Sequence, residues 1–146
     1  MPAPPAGELF DRALSEAGID RASVYVTNAV KHFKYEPRGK RRIHKKPNTG
    51  EVRQCRWWLD RELDTIAPAL VVALGATAAL ALTGRSVSVL RERGRSDFQG
   101  RAGYLTVHPS FLLRLPDAAS QRDEYAKFVA DLREVRNMLT AADVAA

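Results

Sequence analysis

The sequence contains very little cysteine: one residue, Cys55, among 146. A single cysteine cannot form an internal disulfide, and it cannot by itself complete a metal or cluster site. Long apolar segments are lacking as well, because no run of about 18 apolar residues occurs, and we expect no membrane-spanning segment. The opening stretch, Met1 to Pro5, has neither a charged leader nor an apolar stretch behind it. We therefore expect no secretory signal and a cytoplasmic location.

Proline and glycine are also sparse, with 8 and 9 residues, while 45% of the residues are hydrophobic and 27% are charged. These proportions are typical of a folded chain and exclude a disordered or fibrous one. A chain of this length can bury one hydrophobic core but is short for two. We therefore expect a single globular domain over residues 1–146.

Positive charge is concentrated in one window of the chain. The net charge is +6, from 23 basic and 17 acidic residues, and residues 31–46 alone carry +7, with one acid, Glu36. A basic loop at about 31–47 is typical of a surface that binds polyanions, most simply a nucleic-acid backbone, because Lys and Arg release condensed counterions from phosphate. A solvated loop or a targeting tract is the alternative. The basic residues of the window are Lys31, Lys34, Arg38, Lys40, Arg41, Arg42, Lys45 and Lys46.

Helical and extended patterns alternate along the first half of the chain. Apolar residues at helical spacing predict a helix over about 7–17, and a β-branched and aromatic run predicts a strand at Val24 to Val26. A capping box that begins at Asn48 opens a second predicted helix, which Pro68 ends. Residues 28–47 show no sustained period, which predicts a long functional loop without regular structure.

The second half continues the alternation with two strands and two helices. We expect the strands at 69–74 and 104–107 and the helices at 76–82 and about 125–139. Residues 85–102 are polar, rich in arginine and poorly patterned, which predicts an irregular segment with a short extended piece at Val87 to Leu90. Adjacent Trp57 and Trp58 lie on the second helix and cannot face the same way, so we expect one to be buried and the other partly exposed.

This order predicts an α/β fold with three α/β/α layers and a short parallel sheet. In such sheets, ligands bind beyond the carboxyl ends of the strands. The segments that leave those ends are 28–47, 75–77 and 108–115, so the basic loop and His108 are expected on one rim. A nucleotide-binding flavodoxin-like domain is disfavoured, because Gly75-Ala-Thr is far from a phosphate-binding glycine loop.

Five segments, taken together and in this order, resemble the uracil-DNA glycosylase superfamily, and specifically its UdgX-type branch, a relative of the type-4 iron-sulfur glycosylases. The resemblance covers about Pro5 to Leu139, and its most distinctive part is the basic tract that ends in His44. The five segments are Tyr25-Val-Thr-Asn-Ala-Val-Lys-His-Phe, Lys40-Arg-Arg-Ile-His-Lys, Cys55-Arg-Trp-Trp-Leu, Val71-Val-Ala-Leu-Gly-Ala-Thr-Ala and His108-Pro-Ser-Phe-Leu-Leu-Arg.

The resemblance implies an enzyme that flips uracil out of DNA, single-stranded DNA being favoured, and breaks its N-glycosidic bond. Asn28 would read the uracil edge, and His108 would hydrogen-bond the departing anion. On the residues alone, the favoured interpretation is that Asn28 ends a strand and that His108 caps a loop. His44 would become covalently linked to the abasic sugar, the alternative being an incidental histidine in a basic loop.

The same resemblance assigns DNA contacts to the basic tract and to the segment after His108. Leu112 or Leu113 would insert into the base stack, unless Phe111 to Leu115 is plain core. The remaining predicted DNA contacts are Lys31, Lys40, Arg41, Arg42, Lys45, Ser110 and Arg114. The resemblance implies that the partner is uracil-containing DNA. We expect the protein to bind it as a monomer and not to associate with a membrane.

Two departures from the family pattern stand out. The sequence has no Gly-Glu-Gln-Pro-Gly-like loop before the first helix, so we expect a truncated member whose sheet lacks the N-terminal strand. The type-4 relatives hold a [4Fe-4S] cluster on four cysteines; here Cys55 and His32 match two ligand positions, so the cluster is expected to be incomplete or absent. Cys55 could instead be a small buried residue. The rival to an enzyme is a catalytically dead basic DNA-binding module that keeps the fold.

Overall fold

The computed structural model describes the backbone of residues 4–27, 34–38, 41–45 and 49–145, and the side chains of residues 5–27 and 56–140. The described helices are α1 (Pro4–Ala17), α2 (Thr49–Ile66), α3 (Ala76–Thr83), α4 (Val89–Glu92), α5 (Pro109–Leu113) and α6 (Ala118–Ala145), with a short 3-10 turn at Arg21–Ser23. The described strands are β1 (Lys34–Arg38), β2 (Arg41–Lys45), β3 (Val71–Leu74), β4 (Gly94–Phe98) and β5 (Arg101–Thr106).

The strands form two sheets. In the larger sheet the order is β3-β5-β4, with β3 parallel to β5 and β4 antiparallel to it. The parallel pair sets Val71 opposite Gly103 and Leu74 opposite Thr106. β1 and β2 form a separate antiparallel pair. The larger sheet is therefore mixed, whereas the sequence pattern predicted parallel strands throughout, because the polar strand β4 was not recognised.

Helices cover both faces of the larger sheet, as the alternation of side chains along β5 requires. Leu105 joins a buried cluster with residues of α2 and α3, whereas its neighbours Tyr104 and Thr106 hydrogen-bond to Asp131 on α6. A second buried cluster joins α1, α5 and α6, and contains Phe128, which is fully buried. The predicted α/β class with its three layers is confirmed.

The elements with strong local signals form where the sequence predicts them. These are α1, α2, β3 and α3, which match the predicted segments to within a few residues. α1 buries an apolar stripe that includes Phe10 and Leu14. α3 ends at Gly84, whose φ of 79° is the left-handed conformation of a helix C-cap.

The strand predicted at Val24 to Val26 is wrong. In the described residues, this segment follows the 3-10 turn capped by Asp20 and pairs with no strand. Tyr25 is 61% exposed, and its hydroxyl donates to Glu62 on α2 at 2.9 Å. A three-residue apolar run is too weak a signal for a strand when its central side chain lies on the surface.

The two segments predicted as irregular contain regular structure. β1 and β2 lie within 28–47, separated by two residues that include Gly39, a spacing typical of a hairpin. Residues 85–102 contain α4 and β4, and the expected extended piece at Val87 to Leu90 is wrong because Val89 begins α4. β4 escaped notice because only Phe98 of its five residues is buried.

Three smaller differences complete the comparison. α6 spans Ala118–Ala145 and so extends beyond both ends of the predicted 125–139. β5 begins at Arg101, three residues before the strand that its apolar run predicted, because its first three residues, Arg-Ala-Gly, form no apolar run. Trp57 and Trp58 are 53% and 52% exposed, so the expectation that one is buried is wrong. Their rings pack edge to face, with centroids 4.4 Å apart.

No helix in the described part of the chain is both long and apolar enough to cross a bilayer.

Candidate functional site

The parallel strands β3 and β5 end side by side, and the residues that follow them touch. The Gly75 N–H, just after β3, donates to the Thr106 carbonyl at 2.9 Å. Gly75 has a φ of +91°, and a Cβ built there would lie 3.1 Å from the Cβ of His108. A side chain at position 75 would therefore push against His108, so glycine is needed for both space and conformation. The predicted meeting of these two strand ends is confirmed.

His108 is held by the start of α5. It is the N-cap residue, and its Nδ1 accepts a hydrogen bond from the Ser110 backbone N–H at 3.0 Å. The Ser110 hydroxyl lies 2.8 Å from the same nitrogen. Pro109 occupies the first helical position, where a backbone N–H has no acceptor within the helix, so its absence costs no hydrogen bond. Because Nδ1 is an acceptor, the neutral ring carries its proton on Nε2, which can donate.

The surroundings of His108 favour its neutral form. Burial, followed by the positive charge of Arg114, lowers the pKa of His108 below its ordinary value of 6.5. A neutral imidazole with a fixed Nε2–H is a directional hydrogen-bond donor without a full positive charge. This arrangement can stabilise a developing anion placed next to the ring.

A partly buried polar network lies behind the strand end, and the sequence pattern did not predict it. Thr106 Oγ1 donates to an Asp131 carboxylate oxygen at 2.6 Å, and Tyr104 Oη donates to the other at 3.1 Å. Arg93 Nε donates to Asp131 at 2.6 Å, and Arg93 Nη1 to Glu124 at 3.2 Å. These partners are 25 to 38 residues apart along the chain, so no local pattern announces their contact.

The segment after His108 separates two neighbouring leucines. Leu112 is 3% exposed and belongs to the core cluster of α1, α5 and α6, whereas Leu113 is 48% exposed. Arg114 is exposed and ends α5. Leu113, and not Leu112, is thus available for insertion into a base stack.

The remaining candidate residues are described by backbone alone or lie outside the described residues. Arg41, Arg42, His44 and Lys45 fall in β2, where the register sets His44 opposite Tyr35, and Cys55 falls in α2. The remaining predicted residues, Asn28, Lys31, His32 and Lys40, lie outside the described residues.

Comparison with known proteins shows the family to which this chain belongs. A family model described as the uracil DNA glycosylase superfamily matches residues 3–133. The chain belongs to the uracil-DNA glycosylase superfamily. The resemblance carried by the five sequence segments is confirmed at the level of the superfamily, and the described strand ends and His108 all lie within the matched range.

Curated relatives place the chain near the type-4 members of this superfamily. A type-4 uracil-DNA glycosylase of Pyrobaculum aerophilum is 34% identical over 134 residues, covering 86% of this chain and 63% of the relative. One of Thermotoga maritima is 38% identical over 112 residues, covering 75% of this chain and 55% of the relative. A type-5 enzyme of Pyrobaculum aerophilum is 31% identical over 96 residues. The chain thus spans roughly three fifths of the length of the two type-4 relatives.

The donor set of this chain does not fit a four-cysteine [4Fe-4S] site. The whole sequence holds one cysteine, and Cys55 with His32 would supply two of the four ligands. Within the side chains that the structure describes, no three His, Cys, Asp or Glu residues are grouped closely enough to hold a metal ion.

Proposed function

We propose that this chain acts in DNA repair as a uracil-DNA glycosylase of the UdgX-type branch, recognising a flipped uracil in single-stranded DNA and excising it. The observation that carries the proposal is the arrangement of His108, a neutral Nε2–H donor fixed where the two parallel strands end. Membership of the superfamily supplies the substrate class. We further propose that the protein binds DNA as a monomer.

His108 serves the step in which the base departs. When the glycosidic bond breaks, its electron pair goes to uracil, and the negative charge on the base is stabilised by hydrogen-bond donors fixed in advance. The Ser110 N–H holds Nδ1 as an acceptor, which leaves Nε2–H as the donor. The first turn of α3 begins beside His108, and its backbone N–H groups add a favourable field for an anion. By resemblance, Asn28 reads the uracil edge.

Two segments of the sequence contact DNA. The basic window of residues 31–46, with its charge of +7, binds phosphates through the residues named above, among them Lys40, Arg41 and Arg42. Exposed Leu113 occupies the space that a flipped nucleotide leaves, and Arg114 binds a neighbouring phosphate. Ser110 takes part through its N–H and hydroxyl, which fix His108.

His44 captures the sugar after the base has left. The lone pair of its unprotonated imidazole forms a bond to the sugar carbon from which uracil departed, and the imidazole N–H proton passes to solvent. The uracil anion takes up a proton from solvent, so charge and atoms balance. The basic neighbours in β2 support this role, because positive charge around an imidazole favours its unprotonated form.

Incubation with a uracil-containing single-stranded oligonucleotide, followed by a denaturing gel, tests the proposal. A slow-migrating band that survives denaturation is the covalent adduct, and it should vanish in His44→Ala and with a thymine-containing oligonucleotide. The family loop that resemblance places before the first helix has no counterpart in this sequence. We therefore expect little adduct from the 146-residue chain, and a strong band after fusion to that segment of a full-length relative.

A catalytically dead DNA-binding module is the second candidate. It is favoured by the coverage of 63% and 55% of the type-4 relatives, since a glycosylase pocket is built from more than one segment. In that case the fusion would bind single-stranded DNA in a gel-shift assay with equal affinity for uracil and thymine. Neither adduct nor free uracil would then form.

A further inference from the structure

We infer that Thr106 is a positioning residue for His108, which it holds in place through the hydrogen bond from its hydroxyl to Asp131. Thr106 is fully buried at the end of β5, two residues before His108. The functional part of this inference rests on the role proposed above for His108, whereas the structural part does not.

The side chain of Thr106 has a specific partner. A buried hydroxyl has lost its hydrogen bonds to water, so it is costly unless it is hydrogen-bonded within the protein. Valine has nearly the same shape as threonine and would fill this position without that cost. Thr106 Oγ1 donates to Asp131 at 2.6 Å. Because an ionised acceptor makes a stronger bond than a neutral one, this contact ties β5 firmly to α6.

Asp131 is itself held in place from two other directions. Arg93, which directly precedes β4, donates from Nε at 2.6 Å, and the side chains of both partners are 15% exposed. Tyr104 donates its hydroxyl to the other carboxylate oxygen at 3.1 Å. Burial, with the Asp131 charge next, raises the pKa of Tyr104 to about 12, so the phenol stays protonated and continues to donate. The carboxylate is thereby fixed against the sheet.

The backbone of Thr106 carries this constraint to the site. Its carbonyl accepts the Gly75 N–H at 2.9 Å, and Gly75 packs against the Cβ of His108. A shift of Thr106 would therefore move both residues of the Gly75–His108 contact. A misplacement of about 1 Å at a reacting group can cost on the order of a hundredfold in rate.

The structural test uses the whole chain and two NMR readouts, which are hydrogen exchange of the Gly75 amide and the titration of the His108 ring. Thr106→Val removes the hydroxyl without changing charge. We expect its Gly75 amide to exchange about tenfold faster, the size of one lost hydrogen bond, and its His108 signals to move towards those of a solvated imidazole. Thr106→Ser keeps the donor and should restore the parent values.

Thr140→Val is the matched control, because it makes the same substitution at an exposed threonine of α6 whose hydroxyl donates to the Arg136 carbonyl at 3.0 Å and not to Asp131. Its Gly75 amide should exchange within about twofold of the parent rate, and its His108 titration should match that of the parent. Parent-like exchange and titration in Thr106→Val would overturn the inference, as would an equal change in Thr140→Val. If Thr106→Val does not fold, Thr106→Cys gives the same comparison, since a thiol is a weak donor.

Excision kinetics test the functional part on the fused, excision-competent form. We expect Thr106→Val to lower kcat about tenfold or more with little change in KM, and Thr106→Ser to recover it. An unchanged kcat in Thr106→Val would overturn the functional part. If the unsubstituted fusion excises no uracil, the proposed function fails, but the Gly75 and His108 readouts still decide whether Thr106 holds the strand end.

Discussion

The Cβ of His108 packs against Gly75, so closely that a Cβ on residue 75 would lie 3.1 Å from it. Gly75 immediately follows β3, and His108 follows the neighbouring strand β5. The contact therefore joins the ends of two parallel strands, where an α/β sheet places its ligand site. It sets how near the imidazole can come to the turn that opens α3.

Gly75→Ala is expected to displace His108. The positive φ costs on the order of 1–3 kcal/mol for a residue with a Cβ, and the contact with His108 adds to that cost. Gly100→Ala is a matched control, because Gly100 also has a φ of +91° but has no atom within 4 Å of its built Cβ. Urea unfolding gives the two stabilities, and NMR gives the His108 ring signals. Equal effects of the two substitutions would argue against a tight Gly75–His108 contact.

The stability of the fold should depend on pH through His108. Because the pKa of His108 is lowered in the folded state, the unfolded chain binds the proton more readily as the pH falls below 6.5. The free energy of unfolding should therefore decrease on acidification below about 6.5 and be insensitive to this group above it. His108→Asn keeps an N-cap acceptor and loses the titration.

Denaturant titrations of both proteins from pH 8 to pH 5 provide the measurement. The difference in unfolding free energy between parent and His108→Asn should be constant at high pH and should shift against the parent as the pH is lowered. Contributions of the other titrating groups largely cancel in that difference. A constant difference over the whole range would mean that the His108 pKa is not lowered by folding.

Leu112 and Leu113 should respond in opposite ways to substitution by alanine. Leu112→Ala leaves a cavity in the core cluster of α1, α5 and α6, and is expected to destabilise the fold by about 2–5 kcal/mol. Leu113→Ala alters an exposed side chain, so its effect on stability should be within about 0.5 kcal/mol. If Leu113 inserts into the base stack, Leu113→Ala in the fused, excision-competent form should reduce excision from duplex DNA more than from single-stranded DNA. Unaltered excision from both substrates would remove that role.

Binding to single-stranded DNA should weaken steeply with salt. Neutralising Lys40, Arg41 and Arg42 together should reduce the slope of log affinity against log salt by about 2 at most, from about 0.7 per phosphate contact. Changing the exposed residues Arg91, Arg122 and Arg133 to Gln makes the same change in net charge elsewhere. Fluorescence anisotropy at four salt concentrations separates the two triple variants. Equal slopes for both would place the DNA contacts outside the basic window.

Helices and the buried strand were predictable because their signals are local. α1 and α2 repeat apolar residues at helical spacing, and β3 is a continuous apolar run covered by helices. β4 was not predictable in this way, because its Gly-Arg-Ser-Asp-Phe sequence buries one side chain and it pairs through its backbone with β5. Its partner, and not its composition, makes it a strand.

The candidate site likewise has a part that the sequence predicts and a part that it does not. His108 and Gly75 were expected on one rim because the topology of parallel strands brings their loops together. The contact of the Ser110 hydroxyl with His108 is local, because the two residues share the first turn of α5, whereas the Thr106–Asp131 bond depends on how side chains of β5 and α6 are oriented. Sequence spacing carries no information on such orientations when the partners lie on different layers.

β5 lies between two layers of helices and is bound to both. Leu105 packs with α2 and α3 on one face, while Tyr104 and Thr106 bond to α6 on the other. Removing β5 would disrupt the contacts with both layers of helices at once, so neither layer should unfold separately. Calorimetry should show one cooperative transition, with equal calorimetric and van't Hoff enthalpies. His108, two residues beyond this strand, would then become fully solvated only when the entire molecule unfolds.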